Sequence, residues 1–147
     1  RQEGVLGHPE YHCDLLCQGE TRVGLLMWWA GPGFRYVEHF AIAPQLRGQS
    51  WGSRALREFL AEGDPVVLEI DPPEDPVSRR RKGFYEGLGF VSNPWPHIHP
   101  PYRLEFSGHA LEVMTFPGGW DEGQYRRFAR YLDETVMADR PQKVAGA

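Results

Sequence analysis

The sequence predicts a single α/β domain, on three observations. Short apolar runs of strand type recur at about 11–18, 22–30, 35–43 and 66–70. Among and after them, stretches near 50–62, 77–88 and 121–138 carry apolar residues at helical spacing. At 147 residues the chain has one-domain length, enough to bury a sizeable core. The domain is expected to fill residues 1–139, with 140–147 lacking periodicity and fraying.

In order, residues 11–18 and 22–30 read as two strands around a Gly19-Glu20 turn, a hairpin. Gly31-Pro32-Gly33 breaks the chain before a third strand at about 35–43. The helix over 50–62 lines up Trp51, Ala55, Leu56, Phe59 and Leu60, and Asp64-Pro65 stops it. Residues 66–70 form a short strand of buried type, and the proline-rich loop 71–76 leads stiffly into the helix near 77–88. A second proline-rich passage covers 94–101. A hairpin is expected from 102–107 and 109–116 about Ser107-Gly108, and the last helix runs from about 121 to 138. There is no internal repeat.

Composition excludes several function classes. A net charge of −4 and a pI near 5.9 lack the basic footprint of a general nucleic-acid binder. No apolar run approaches membrane-span length, and the first residues show no signal-peptide pattern, so neither nucleic acid nor membrane is an expected partner. Cys13 and Cys17 stand four apart in one strand, sharing a face at a separation of roughly 13 Å. That is too far for a disulfide, and the pair reads as reduced, cytoplasmic thiols.

Residues 36–59 are the most informative stretch. An apolar strand ends at Pro44, a loop bearing Arg47, Gly48 and Gly52 follows, and a helix opens around Ser53. Such a turn aims free backbone N–H groups and the positive end of a helix at one point, which suits a phosphate or pyrophosphate. A P-loop is excluded, because Gly52 is followed by Ser53-Arg54 rather than a Lys-Ser or Lys-Thr pair. A dinucleotide fingerprint is excluded too, since Gly48 and Gly52 are the only glycines of the loop.

Arg47-Gly48-Gln49-Ser50-Trp51-Gly52 resembles the acyl-CoA loop of the GNAT acetyltransferase superfamily, Arg/Gln-x-x-Gly-x-Gly/Ala. It departs at Ser50, where the family has glycine; serine keeps the N–H and adds a hydroxyl. About thirty residues on, Phe84-Tyr85-Glu86-Gly87-Leu88-Gly89-Phe90 resembles the second hallmark, a helix with a glycine C-cap running into a strand. The order of the two blocks and their separation by one strand match as well, and the resemblance covers about residues 11–93. It implies a GNAT-like mixed, twisted sheet, flanked by helices, with a splay between its two central strands. It also implies that the family's N-terminal strand and helices, which commonly wall the acceptor site, are missing, since ten residues precede the first hairpin.

The resemblance implies acetyl-CoA as cosubstrate and direct transfer to a primary amine in a ternary complex, with no acyl-cysteine. Such transfer needs a held donor, a contact for the oxyanion, a base for the amine and an acid for the thiolate. Arg47, Gly48, Gln49, Ser50, Trp51, Gly52 and Ser53 would hold the pyrophosphate. Phe40, Ala41 and Ile42 would lie beside the thioester and offer backbone N–H groups. Tyr85 would protonate the leaving thiolate. Ser78 would stand where the family often has Asn toward the pantetheine, on one helix face with Arg81, Tyr85 and Leu88. One arginine of the run Arg79-Arg80-Arg81-Lys82 would meet a CoA phosphate, the rest forming a solvated face.

For the base, Glu38 comes first: a carboxylate inside an apolar strand, on the face of Phe40 and Ile42 by alternation, with His39 on the other. Glu69, on the neighbouring strand, is second, and either could act through water. Each has a structural reading beside the chemical one: an ordinary central strand, a packed Tyr85, a carboxylate bonded in the sheet. His97 and His99 share a face if extended, half of a metal site, but no third ligand stands at sensible spacing, so no metal is expected. Trp28, Trp29, Trp95, Tyr102 and Trp120 would line an acceptor pocket or, more commonly for aromatics at strand positions, fill the core. Two functions stay open, an N-acetyltransferase and a GNAT-fold module that binds acyl-CoA without transfer. The acceptor and homodimerisation stay open with them.

Overall fold

Two short turns start the fold, with Gly19 at φ 63° and Gly33 at φ 85° supplying the left-handed positions that tight hairpins need. They join β1 (Tyr11–Gln18), β2 (Thr21–Gly31) and β3 (Phe34–Ile42) into an antiparallel meander. The structure, a computed structural model, describes residues 8–46, 50–97 and 111–137. Within them follow α1 (Trp51–Leu60), β4 (Val66–Ile70), α2 (Pro76–Gly87), β5 (Val91–Asn93), β6 (Glu112–Phe116) and α3 (Glu122–Tyr131). A π-helical turn, Leu132–Val136, prolongs α3.

The described strands form one mixed sheet of order β1-β2-β3-β4-β6-β5. Its parallel pair is β3 with β4; the other pairs are antiparallel. The sheet divides the core into two layers. On one face, Leu26, Val37, Val66, Leu68 and Met114 pack against Leu56, Phe59 and Leu60 of α1 and Tyr85 of α2. On the other, Trp29, Phe34, Tyr36 and Val67 pack against Phe128, Tyr131, Leu132 and Val136 of α3 and its extension. Each large side chain so buried contributes about 1.5–3 kcal/mol by leaving water.

Polar clips fix the helices. Arg35, 6% exposed, donates from Nη1 to the Phe59 carbonyl at 2.6 Å and from Nε and Nη2 to the Asp64 carbonyl. Its guanidinium lies over the Phe59 ring, so β3 ties down the end of α1 and the turn that follows it. Asp75 caps α2 by accepting from Ser78 N–H at 2.8 Å, and Asp121 with Gln124 forms a capping box on α3.

The expected elements appear within a few residues of their bounds, α1 starting at Trp51 rather than Ser53. The strand expected at 102–107 and the turn expected at Ser107-Gly108 lie outside the described residues, as do 1–7 and the tail beyond 137. Within the described residues β6 pairs with both β4 and β5, which inserts it between them. Cys13 and Cys17 are free and exposed on β1.

Candidate functional site

The site begins where β3 and β4 part. Their parallel pairing runs over Arg35–Val37 against Val66–Leu68 and then stops, although β3 continues to Ile42. This is the splay. Beyond Val37, β3 is bonded to β2 on one side, while its β4-facing edge carries no strand among the described residues. Glu38 and Glu69 are each the first residue past the paired segment, so a carboxylate stands on both lips of the opening.

A β-bulge sits at the same spot. Met27 pairs with His39 and Trp28 with Val37, leaving Glu38 as the extra residue of β3. Strict alternation puts Glu38 on the face of Phe40 and Ile42; the bulge overturns that placement. Glu38, part-buried, accepts from Trp29 Nε1 at 3.0 Å on the α3 side, and exposed His39 lies opposite Met27 of that side. Phe40 turns to the other layer, stacking on Phe84 of α2 with centroids 6.5 Å apart. One strand therefore serves both faces of the sheet.

On the α1–α2 face lie several of the residues expected to hold the donor. Ser50, the N-cap of α1, has φ 68° and ψ 10°, and is the non-glycine residue of positive φ among those described. Glycine adopts this conformation without strain. Behind it, α1 presents the unpaired N–H groups of its first turn. Gly52 faces the end of β3: a Cβ there would lie 3.5 Å from Phe40, Ile42 and Phe84 side chains. Trp51 packs under the Arg54 guanidinium at 4.7 Å, and its buried indole N–H has no partner among the described residues. Ala41 and Ile42 are part-buried on the open stretch of β3, and Ser53 is part-buried in the first turn of α1. Arg47, Gly48 and Gln49 lie outside the described residues.

Tyr85 is 8% exposed, with its ring against Phe84 and Phe90. Burial pushes its phenol above the ordinary range, with Arg81 acting weakly the other way, so the hydroxyl keeps its proton at neutral pH. Ser78 is buried, and its hydroxyl donates to Asp75 at 3.1 Å, leaving that oxygen an acceptor toward any ligand. Arg81 is exposed, 3.7 Å from Asp71, and Lys82 bonds Glu112 at 3.0 Å, as expected of a largely solvated basic run.

On the α3 face the structure assembles a group that sequence reasoning missed. Tyr36 of β3 donates to Glu69 Oε1 at 2.5 Å, His97 Nε2 lies 2.6 Å from Glu69 Oε2, and His97 Nδ1 lies 2.8 Å from the Tyr125 hydroxyl of α3. His97 is 2% exposed, its ring on Phe128. It is a partner of Glu69 rather than half of a metal site, and His99 lies outside the described residues. Among the described residues no group of three or more His, Cys, Asp or Glu could hold a metal. The sequence signal was there but indirect, a histidine among prolines and aromatics where apolar residues would pack alone. Trp29 and Trp120 are core, Trp28 stacks on His12, Trp95 stacks on Tyr125, and Tyr102 lies outside the described residues.

This architecture is the GNAT fold, and solved structures of acetyltransferases share it. A protein from Bacteroides thetaiotaomicron described as a GNAT-family acetyltransferase aligns with 92% of this chain and 77% of its own, at 28% identity and TM-score 0.81. An Escherichia coli ribosomal-protein alanine N-acetyltransferase aligns over 82% and 78%, at 17% identity and TM-score 0.59. A Bacillus subtilis acetyltransferase in complex with CoA aligns over 78% and 82%, at 11% identity and TM-score 0.58. The last two, at such identities, show the fold alone. No protein-family model matches the sequence, and no curated protein does. No helix among the described residues is long and apolar enough to cross a membrane.

Proposed function

We propose that this chain is an acetyl-CoA-dependent N-acetyltransferase of the GNAT superfamily that acetylates a primary amine by direct attack in a ternary complex. The observation that carries the reading is the splay, with a carboxylate on each lip and a protonated tyrosine in the opposite layer. The pantetheine would pair with the open edge of β3 at Phe40–Ile42. The pyrophosphate would rest on the loop Arg47–Ser53 and the first turn of α1. The αL position at Ser50, the bare Cα of Gly52 and the unpartnered Trp51 N–H all suit such a cradle. Ser78 would accept from the pantetheine, and Arg81 would release Asp71 to meet a CoA phosphate.

The amine nitrogen would attack the thioester carbonyl, whose developing charge meets a backbone N–H of β3. Its proton would pass to the carboxylate pair Glu38 and Glu69. As the C–S bond breaks, the thiolate would take the Tyr85 proton. The CoA-bound state of the Bacillus subtilis neighbour supports the cosubstrate. The protein would work in the cytoplasm as a single domain over 1–139, and a homodimer is compatible with this reading.

Thiol release from acetyl-CoA across a panel of small amines, aminoglycosides, peptide N-termini and lysine peptides tests the proposal, with calorimetry of acetyl-CoA alongside. Amine-dependent thiol release is the expected outcome. Tight acetyl-CoA binding with no release by any amine would favour a non-catalytic acyl-CoA-binding module instead.

A further inference from the structure

Glu69 is held by three elements at once. Tyr36 of β3 and His97, on the segment after β5, each engage one of its oxygens, and Tyr125 of α3 engages the far nitrogen of His97. The Tyr125 hydroxyl has a second neighbour, the Pro96 carbonyl at 3.3 Å, and its ring is stacked on Trp95 with centroids 5.8 Å apart. An ionised carboxylate only accepts, so the 2.6 Å contact places a proton on His97 Nε2.

Nδ1 then has two satisfied states. When bare, it accepts the Tyr125 O–H. When protonated, it donates to the Tyr125 oxygen, whose hydrogen turns to the Pro96 carbonyl. His97 Nδ1 is therefore hydrogen-bonded to Tyr125 in either orientation of that hydroxyl.

Stability is a weak reason for such a pair. The side chains of His97 and Glu69 are 1% and 8% exposed, among Tyr36, Phe128 and their aromatic neighbours. Taking two ionisable groups out of water costs several kcal/mol that their attraction barely returns, and apolar residues of like size commonly do as well or better. The location supplies a reason instead: Glu69 stands on the lip of the splay, on the face opposite Tyr85.

We infer that His97, anchored by Tyr125, is the positioning residue that fixes Glu69 as the carboxylate receiving the amine's proton. This rests on the transferase reading above. Glu69 Oε1 or Oε2 takes the proton as the N–C bond forms, and the thiolate leaves with the proton of Tyr85. His97 touches neither substrate and acts through the orientation of Glu69.

The test compares His97→Phe, which keeps a ring against Phe128 but no donor, with His97→Gln, which keeps an N–H toward Glu69. Each is measured in the full chain for kcat, for acetyl-CoA affinity and for the thermal midpoint, beside Glu69→Gln and Glu38→Gln. Glu69→Gln should lower kcat roughly 10²–10⁴-fold, as loss of a general base does. His97→Phe should cost about 10–100-fold through misplacement, leave acetyl-CoA affinity unchanged and add little to Glu69→Gln in the double variant. His97→Gln should recover most of the loss.

Should His97→Phe fail to fold, Tyr125→Phe carries the same comparison, with kcat lowered and acetyl-CoA affinity kept. Parent-like kcat in His97→Phe overturns the inference. So do equal losses in the Phe and Gln variants that track the midpoint. An active parent disabled by Glu38→Gln but not by Glu69→Gln refutes this inference and leaves the transferase standing. A parent that binds acetyl-CoA and turns over no amine removes both.

Discussion

Ser50→Gly should make this protein more stable, although it shortens a side chain in a loop. At φ 68° and ψ 10° Ser50 sits in the left-handed region, and its side chain makes no capping bond to α1. For a residue with a Cβ that conformation costs about 1–2 kcal/mol. Glycine removes the cost but adds about 0.5–1 kcal/mol of unfolded-chain entropy. The difference is a net gain of about 0.5–1 kcal/mol, or roughly 2–3 °C in Tm for a domain of this size. Denaturant unfolding should show the midpoint rise at constant slope, which separates stability from a change in the denatured state. Ser50→Val, with a β-branched side chain in the same conformation, should fall by more than about 1 kcal/mol. Acetyl-CoA affinity in Ser50→Gly should be equal or tighter. A lower midpoint in Ser50→Gly, or a harmless Ser50→Val, would show that no strain is stored here. Weaker acetyl-CoA binding by a stable glycine variant would make the hydroxyl itself a phosphate ligand.

Tyr85→Phe keeps the ring against Phe84 and Phe90, so folding and acetyl-CoA affinity should persist while kcat falls roughly 10²–10⁴-fold; parent-like turnover would leave the thiolate to solvent. Gly52→Ala adds a methyl at ordinary contact, 3.5 Å, with Phe40, Ile42 and Phe84, so stability should hold or rise. The same methyl should weaken CoA about tenfold, near 1.4 kcal/mol, if backbone and ligand meet there, and calorimetry decides. Burial, with the bond its hydroxyl donates to Glu10 at 2.6 Å, pushes Tyr131 far above the ordinary phenol range, and burial raises Tyr85 as well. Both groups stay protonated in the folded state after the unfolded chain begins to ionise near pH 10, so their stabilisation is complete below about pH 10 and is lost as pH climbs through the folded values. Unfolding midpoints above pH 10 should therefore fall with pH, and less steeply in Tyr131→Phe; identical slopes in the two proteins would contradict this.

The elements that repeat a local rule were legible. The hairpin β1–β2 announced itself by two apolar runs around Gly19-Glu20, and α1 by Leu56, Phe59 and Leu60 at helical spacing. The loop before α1 reads as a candidate phosphate cradle from its glycines and the helix start alone, and its residues 47–49 lie outside the described residues. Features made by long-range contacts were not. The insertion of β6 between β4 and β5 depends on which edges are free in three dimensions. His97 and Glu69 are far apart in sequence, and nothing local ties them. The bulge is an intermediate case, since two adjacent polar residues, Glu38-His39, interrupt an apolar strand at the point where it forms.

That bulge also gives β3 one residue more than the facing stretch of β2. Between Val37 and Phe40 the strand changes phase, with Trp29 and Glu38 meeting on one side of the sheet and Phe40 with Phe84 on the other. A substitution at Glu38 alters one side chain. Deleting Glu38 would restore simple alternation, leaving Phe40 and Ile42 toward Gly52 and Phe84 while removing the carboxylate of this lip. One residue can therefore be lost at the bulge without turning the rest of β3 to the other face. A one-residue gap at Glu38-His39 in a homologue would mark a β3 of plain alternation, its aromatic contact with α2 kept and one of these two polar side chains gone.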